Sequence, residues 1–142
     1  MSRDQVTLQL IANSLVYASE EMGLALRNAA YSPNIRERMD HSAAIFDSKG
    51  RLLAQAEHVP VHLGSLPWGM SNIISFCAEE GIELEEKSMV LANDPYLTGT
   101  HLNDVTVAVS QNNVVSILVD IGRRWCIISD NRGNISGVRD SL

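Results

Sequence analysis

Near the start of the chain, apolar residues recur at alternating steps of three and four: Leu8, Ile11, Leu15, Ala18, Met22, Ala25 and Ala29. At about 3.6 residues per turn these positions share one face, so the segment reads as a helix whose apolar side meets a core. Asp4 can cap its start, and Pro33, which lacks an amide hydrogen, stops it. Beyond the proline the pattern shortens. Ala43–Phe46 and Arg51–Ala54 flank Asp47-Ser48-Lys49-Gly50, and Gly50 can take the positive φ that a hairpin turn needs. A loop marked by His58, Pro60 and His62 follows. Ser65 and Pro67 then open a second helix that runs to about Glu80. Ile73, Ile74 and Cys77 line its apolar face, and Gly81 ends it.

The second half reads as strands. Met89–Ala92 is a short buried strand that leads into the turn residues Asn93-Asp94-Pro95-Tyr96. Val105–Val109 alternates apolar with Thr106 and Ala108, as a half-buried strand does. Gln111-Asn112-Asn113 is a hairpin turn into Val114–Ile121, and Trp125–Ile128 adds a last strand. The tail, Asp130–Leu142, has turn chemistry and little apolar content. The expected architecture is α+β: an N-terminal helix, a β-hairpin, a second helix and a largely antiparallel sheet. No internal repeat or low-complexity linker interrupts it.

Composition narrows the partners. The chain has 142 residues, 45% of them hydrophobic, which suits one domain with a real core. The net charge is −6 and there is no basic cluster, which disfavours nucleic acid and anionic membrane surfaces alike. The two cysteines, Cys77 and Cys126, follow no metal or redox spacing and sit among apolar neighbours, so buried free thiols are expected. No signal-peptide core or membrane-length apolar run is present, and a soluble cytoplasmic chain is expected.

Three segments could carry chemistry. In Asn93–Asp104, His101 and Asp104 lie three apart at the mouth of a strand. One imidazole nitrogen and one carboxylate oxygen suit Zn²⁺, Mn²⁺ or Fe²⁺, and Asp94 could orient an imidazole from outside the ligand set. A loop histidine beside a strand-capping aspartate is the plain alternative. In Glu37–Ser42, Arg38 could hold a carboxylate or a urea-like carbonyl through two hydrogen bonds, and Asp40 and His41 could do acid–base work. A solvated loop with a Glu37–Arg38 pair competes with that reading. In His58–Gly64, two histidines stand four apart in a proline-stiffened loop, a spacing that does not by itself give them a shared face. There is no glycine-rich phosphate loop, and Gly64-Ser65-Leu66-Pro67-Trp68 lacks the closing glycine of a nucleophile elbow.

Taken in order, these blocks resemble the hydantoinase B/oxoprolinase family. The resemblance runs through Ser32–Ser42, through Phe46-Asp47 with Gly50-Arg51-Leu52 and Ala54-Gln55-Ala56, through His58–Ser65, and through Asn93–Tyr96 with Gly99–Leu102 and Asp104. It covers about residues 5 to 122, the N-terminal part of a typical member, so the chain would be a fragment of a larger family fold. The resemblance implies hydrolysis of cyclic amides, hydantoins or 5-oxoproline, together with an ATP-using A-type subunit; other relatives carboxylate acetone. It also implies a divalent metal (Mn, Zn or Fe) on His101 and Asp104, where the metal ligands of such relatives fall. Glu37, Arg38, Asp40, His41, His58, His62 and Asp94 would line or support that site, with ATP entering only through the partner subunit.

Two departures qualify the family pattern. The family carries a His-His pair just before the stretch matching Val119-Asp120-Ile121-Gly122, and here Ile117 and Leu118 stand in those positions. Neither aliphatic side chain can ligate a metal. After Gly122 the chain reads Arg123-Arg124-Trp125, so residues 1–122 are taken as the family-like part and 123–142 as a divergent tail of the kind a truncated gene product carries. These departures keep a second expectation open, a non-catalytic remnant or docking module of such a complex. Uncovered apolar surface on a partial fold would also favour oligomers.

Overall fold

The computed structural model describes residues 2–56, 58–98, 101, 104–111, 114–121, 126–129 and 135–139, with side-chain surroundings up to residue 111 and Val61 excepted. The elements are α1 (Arg3–Ala29), α2 (Pro33–Arg36), β1 (Ser42–Asp47), β2 (Leu52–Gln55), α3 (Pro60–Glu79), β3 (Met89–Ala92), α4 (Pro95–Thr98), β4 (Asp104–Gln111), β5 (Val114–Ile121), β6 (Cys126–Ser129) and β7 (Ile135–Arg139). The strands form one seven-stranded sheet in the order β2-β1-β5-β4-β3-β6-β7. Every pairing is antiparallel, as the α+β reading expects.

The core lies between α3 and one face of the sheet. Leu66, Met70, Ile73 and Cys77 recur at helical spacing and are buried with Ala44, Phe46, Val90 and Ala108. Successive strand residues point to opposite faces, so β1 divides its residues: Ala44 and Phe46 join this cluster, while Ala43 and Ile45 are buried on the other side. There α1 packs against β1 and β2. The hairpin turn is held by Asp47, whose Oδ1 accepts from the amides of Lys49 and Arg51 at 3.0 and 2.8 Å. Gly50 turns with φ 74°, as expected.

The second helix starts earlier than its sequence signals suggested. Pro60 occupies the first turn, where its missing amide hydrogen costs nothing, and His62 is therefore helical rather than in a loop. Pro67 lies inside the helix, not at its start. The C-terminus is as expected: Gly81 (φ 69°) donates to the Ala78 carbonyl and Ile82 to that of Cys77, the paired bonds of a Schellman motif.

The first helix departs from expectation in its orientation. It is capped by Ser2, which exchanges hydrogen bonds with Gln5 in a capping box, and Asp4 only sits in the first turn. Its buried residues are Ser19 and Gly23, not the apolar stripe. Leu8 and Ile11 are 67% and 53% exposed, Ala18, Ala25 and Ala29 are exposed, and Leu15 and Met22 are half-buried. The physical reason is close approach: small residues let the helix backbone reach the sheet-side histidines described below, and the bulkier stripe is rotated aside. Pro33 stops nothing directly; the helix ends at Ala29 and Pro33 begins α2.

The tail also differs from its turn-like composition. Ile135–Arg139 forms β7, pairing with the edge that β6 would otherwise leave open. The Asn112-Asn113 turn lies outside the described residues, although Gln111 and Val114 are paired across it. Cys77 is free and buried as expected; the side chain of Cys126 lies outside what is described. Among the described residues no helix is long and apolar enough to cross a membrane.

Candidate functional site

Polar side chains gather at one end of the sheet, where β1 and β4 begin and β3 and β5 end. In register, Ser42 pairs with Val119, Val119 with Thr106, and Thr106 with Ala92. One step further out Asp104 pairs with Ile121. The first turn of α3 lays His62 over this end. Ser42, His62, Asp104 and Thr106 are all buried. Buried polar groups of this kind persist only when they satisfy one another.

They do so as a chain. Ser42 Oγ and His62 Nδ1 are 2.8 Å apart. His62 Nε2 faces Asp104 Oδ2 at 3.7 Å, an electrostatic contact rather than a hydrogen bond. The same oxygen accepts from the His101 amide at 3.0 Å and lies 3.3 Å from His101 Nδ1. One tautomer suits all of this: the Ser42 hydroxyl donates to Nδ1, and Nε2–H points at the carboxylate. Burial lowers the His62 pKa below its usual value, and the neighbouring Asp104 and Asp40 carboxylates offset part of that. Burial thus favours the neutral form of His62, while its line of contacts runs outward to His101, whose side chain is 66% exposed.

A second polar group lies on the other face of β1, under α1. His41 Nε2 donates to the Gly23 carbonyl at 3.0 Å. The His41 and His58 rings lie 4.8 Å apart at 44°. His58 Nε2 meets Glu20 Oε2 at 3.3 Å. A Cβ at Gly23 would collide with Cε1 of His58, so the glycine is what lets the two rings reach the helix. This group fastens α1 to the sheet.

The residues singled out from sequence therefore separate. His62, His101 and Asp104 come together, with Asp40 close enough to act on His62 electrostatically. His41 and His58 form the α1 fastening instead. Glu37 and Arg38 are exposed on the α2–β1 connection. Asp94 Oδ1 accepts from the Tyr96 amide at 2.8 Å, and its carbonyl accepts from Leu97 and Thr98, so it caps α4. Three participants carried no sequence signal strong enough to name them: Ser42, Glu20 and Gly23. Ser42 was detectable in principle, as the polar residue at the head of the Ala44–Phe46 row.

The donor chemistry can be weighed against a metal. An open catalytic zinc site has three protein ligands and a structural one four. Among the described residues no three His, Cys, Asp or Glu side chains form a set that could hold a metal ion. Positions 117 and 118 pair in β5 with Ala44 and Ala43 of β1, and hold Ile and Leu. His101 and Asp104 thus supply two donors, fewer than either kind of zinc site needs.

A helix on each face of an antiparallel sheet, with a Ser–His–Asp–His line at one end, defines an α+β unit that positions a buried carboxylate under an exposed histidine. Comparison places the unit. The hydantoinase B/oxoprolinase family model matches residues 4–116, and the chain belongs to that family. An uncharacterised protein of Methanocaldococcus jannaschii is 52% identical over 104 residues, 73% of this chain and 18% of that protein. The 5-oxoprolinase of Saccharomyces cerevisiae is 43% identical over 106 residues, 73% of this chain and 8% of that enzyme. Among solved structures, an ATP-dependent caprolactamase from Pseudomonas jessenii superposes with a TM-score of 0.68 at 25% identity, covering 88% of this chain and 22% of that one. The chain spans less than a fifth of the length of these two relatives, consistent with a fragment of a larger fold.

Proposed function

We propose that this chain supplies part of the active site of an ATP-dependent cyclic-amide hydrolase and acts with an A-type, ATP-using subunit. The observation that carries the reading is the buried Ser42–His62–Asp104 line reaching exposed His101, set in the part of the chain the family model matches. The reaction is ring opening: water adds to the amide carbonyl, the C–N bond breaks, and a carboxylate and an amine result. ATP consumed by the partner would activate the amide oxygen. Asp104 would orient His101, and His101 would accept the proton of the attacking water or return it to the leaving nitrogen. The substrate class follows the relatives' names: 5-oxoproline, hydantoins or a lactam such as caprolactam. A divalent metal with His101 and Asp104 as two of its ligands belongs to the same proposal, and metal analysis of the purified chain measures it.

The test combines the chain with an A-type subunit and follows ATP-dependent ring opening of 5-oxoproline, hydantoin and caprolactam. Turnover that falls at least a hundredfold in His101→Ala and Asp104→Asn supports the reading. Turnover indifferent to both substitutions defeats it. A second reading, a non-catalytic docking module, is favoured by Ile117 and Leu118 in place of the family's histidine pair. Tight binding to the A-type subunit with no hydrolysis and no bound metal would select it.

A further inference from the structure

We infer that Gly69 and Asn72 of α3 are positioning residues for His101, acting through the turn of α4. His101 follows the end of α4 closely, and Asp104 opens β4 just beyond it. α3 holds both ends of this stretch. At one end His62, in the first turn of α3, meets the Asp104 carboxylate at 3.7 Å. At the other end Asn72 Nδ2 donates to the Leu97 carbonyl at 3.0 Å, and buried Gly69 lies against the backbone of Thr98. The spacing of His62, Gly69 and Asn72 puts them along one side of the helix. A rigid element therefore sets the distance between the two anchors, about 10–15 Å of helix at about 1.5 Å per residue.

Glycine weakens a helix interior, so its place at position 69 asks for a reason. Space supplies one. A Cβ there would lie 2.9 Å from the Thr98 carbonyl oxygen and 3.3 Å from its Cα. Both are backbone atoms, so no side chain can swing aside and α4 itself would have to move. Gly64 in the same helix is the contrast, since a Cβ there meets nothing within 4 Å. Asn72 adds a directional bond to this steric fit. The turn is closed from within, because the Asp94 carbonyl accepts from the Leu97 and Thr98 amides at 3.0 and 2.9 Å and from the Thr98 hydroxyl at 3.0 Å. What α3 fixes is thus the place of the whole turn, and with it the point from which the chain runs to His101. That place matters because the His101 amide donates to Asp104 Oδ2 at 3.0 Å and its Nδ1 lies 3.3 Å from the same oxygen. A displaced turn would pull on contacts that already lie toward the long end of hydrogen bonding.

Hydrogen exchange by NMR on the 142-residue chain reads this placement without any reaction. Asn72→Asp keeps the side-chain shape and exchanges the donor for an acceptor. In that variant and in Gly69→Ala the His101 amide should exchange at least about tenfold faster than in the parent chain, and in Gly64→Ala it should not change. A His101 amide unmoved by both substitutions overturns the inference. So does one that quickens only in step with the core amides of β1, since Gly69 and Asn72 would then merely stabilise the fold. A kinetic arm rests on the proposed reading of His101 as the proton-transfer group. With an A-type subunit, at a temperature where circular dichroism shows each variant folded, ATP-dependent ring opening should lose about tenfold to a hundredfold in kcat while KM stays nearly constant. The two failures are distinct. Turnover indifferent to His101→Ala removes the proposed reaction and leaves the exchange measurement to decide the positioning role. Turnover that needs His101 but is indifferent to Gly69→Ala and Asn72→Asp overturns that role.

Discussion

α1 and α3 lie on opposite faces of the same sheet and hold to it by different means. α3 buries Leu66, Met70, Ile73 and Cys77 against Phe46 and Val90, a contact whose substance is apolar area. α1 is longer, 27 residues, yet buries only a serine and a glycine, and its hold is the set of polar contacts around His41 and His58. A helix docked through large side chains stabilises the fold; one docked through small ones brings its backbone close enough to share hydrogen bonds. Stability should therefore be concentrated on the α3 side, with the α1 side specific but shallow.

Phe46→Ala gives the sharpest contrast. The ring is fully buried among α3 side chains, and its removal should cost about 3–5 kcal/mol by denaturant unfolding. Ile11→Ala, on the exposed stripe, should change stability by less than about 0.5 kcal/mol. Comparable losses for the two would mean that the α1 stripe is covered and the contrast between the helices is false. Gly23→Ala comes next. Alanine favours a helix over glycine by about 1 kcal/mol. Here the added methyl meets the His58 ring, and overpacking of that kind costs about 1–3 kcal/mol. A net loss is expected, with the His41–Gly23 hydrogen bond disturbed. A net gain would show that the fastening yields easily.

How much of this was legible in the sequence follows from the same contrast. The hairpin, the Gly81 stop and the four strands from Met89 to Ile128 were readable, because period and turn chemistry are local. The α1 orientation was not. An apolar stripe says that a helix face wants cover, but not which partner covers it, and the small-residue face that won carries almost no hydropathy signal. His101 and Asp104 were readable as a pair from spacing. His62 joined them only because α3 begins at Pro60, and Ser42 only because β1 and β4 align it through β5. Those are long-range facts of register. β7 was hidden for a related reason: a glycine-containing tail becomes a strand when an open edge is there to pair with.

The site end of α3 should respond to acid. Burial lowers the His62 pKa, so the folded chain binds a proton there less readily than the unfolded one. That contribution is full above the unfolded value, about 6.5, and is lost as pH falls below it. Unfolding free energy should therefore slope downward from pH 7 toward pH 5, and His62→Gln should flatten part of the slope. An unchanged slope would show that His62 does not carry the acid response.

The smallest effect tests whether the far end of α1 belongs to the cooperative fold at all. Ser2 and Gln5 close a capping box on a stretch in which every residue from Ser2 to Ser14 is exposed. Loss of such a cap by Ser2→Ala costs about 0.5–2 kcal/mol of helix stability. Since every residue of that stretch is exposed, the cost should appear as faster amide exchange over residues 6–14, with the global unfolding midpoint almost unmoved. A midpoint that falls by the full cost of the lost cap would couple the whole helix to the core and erase the distinction between the two faces.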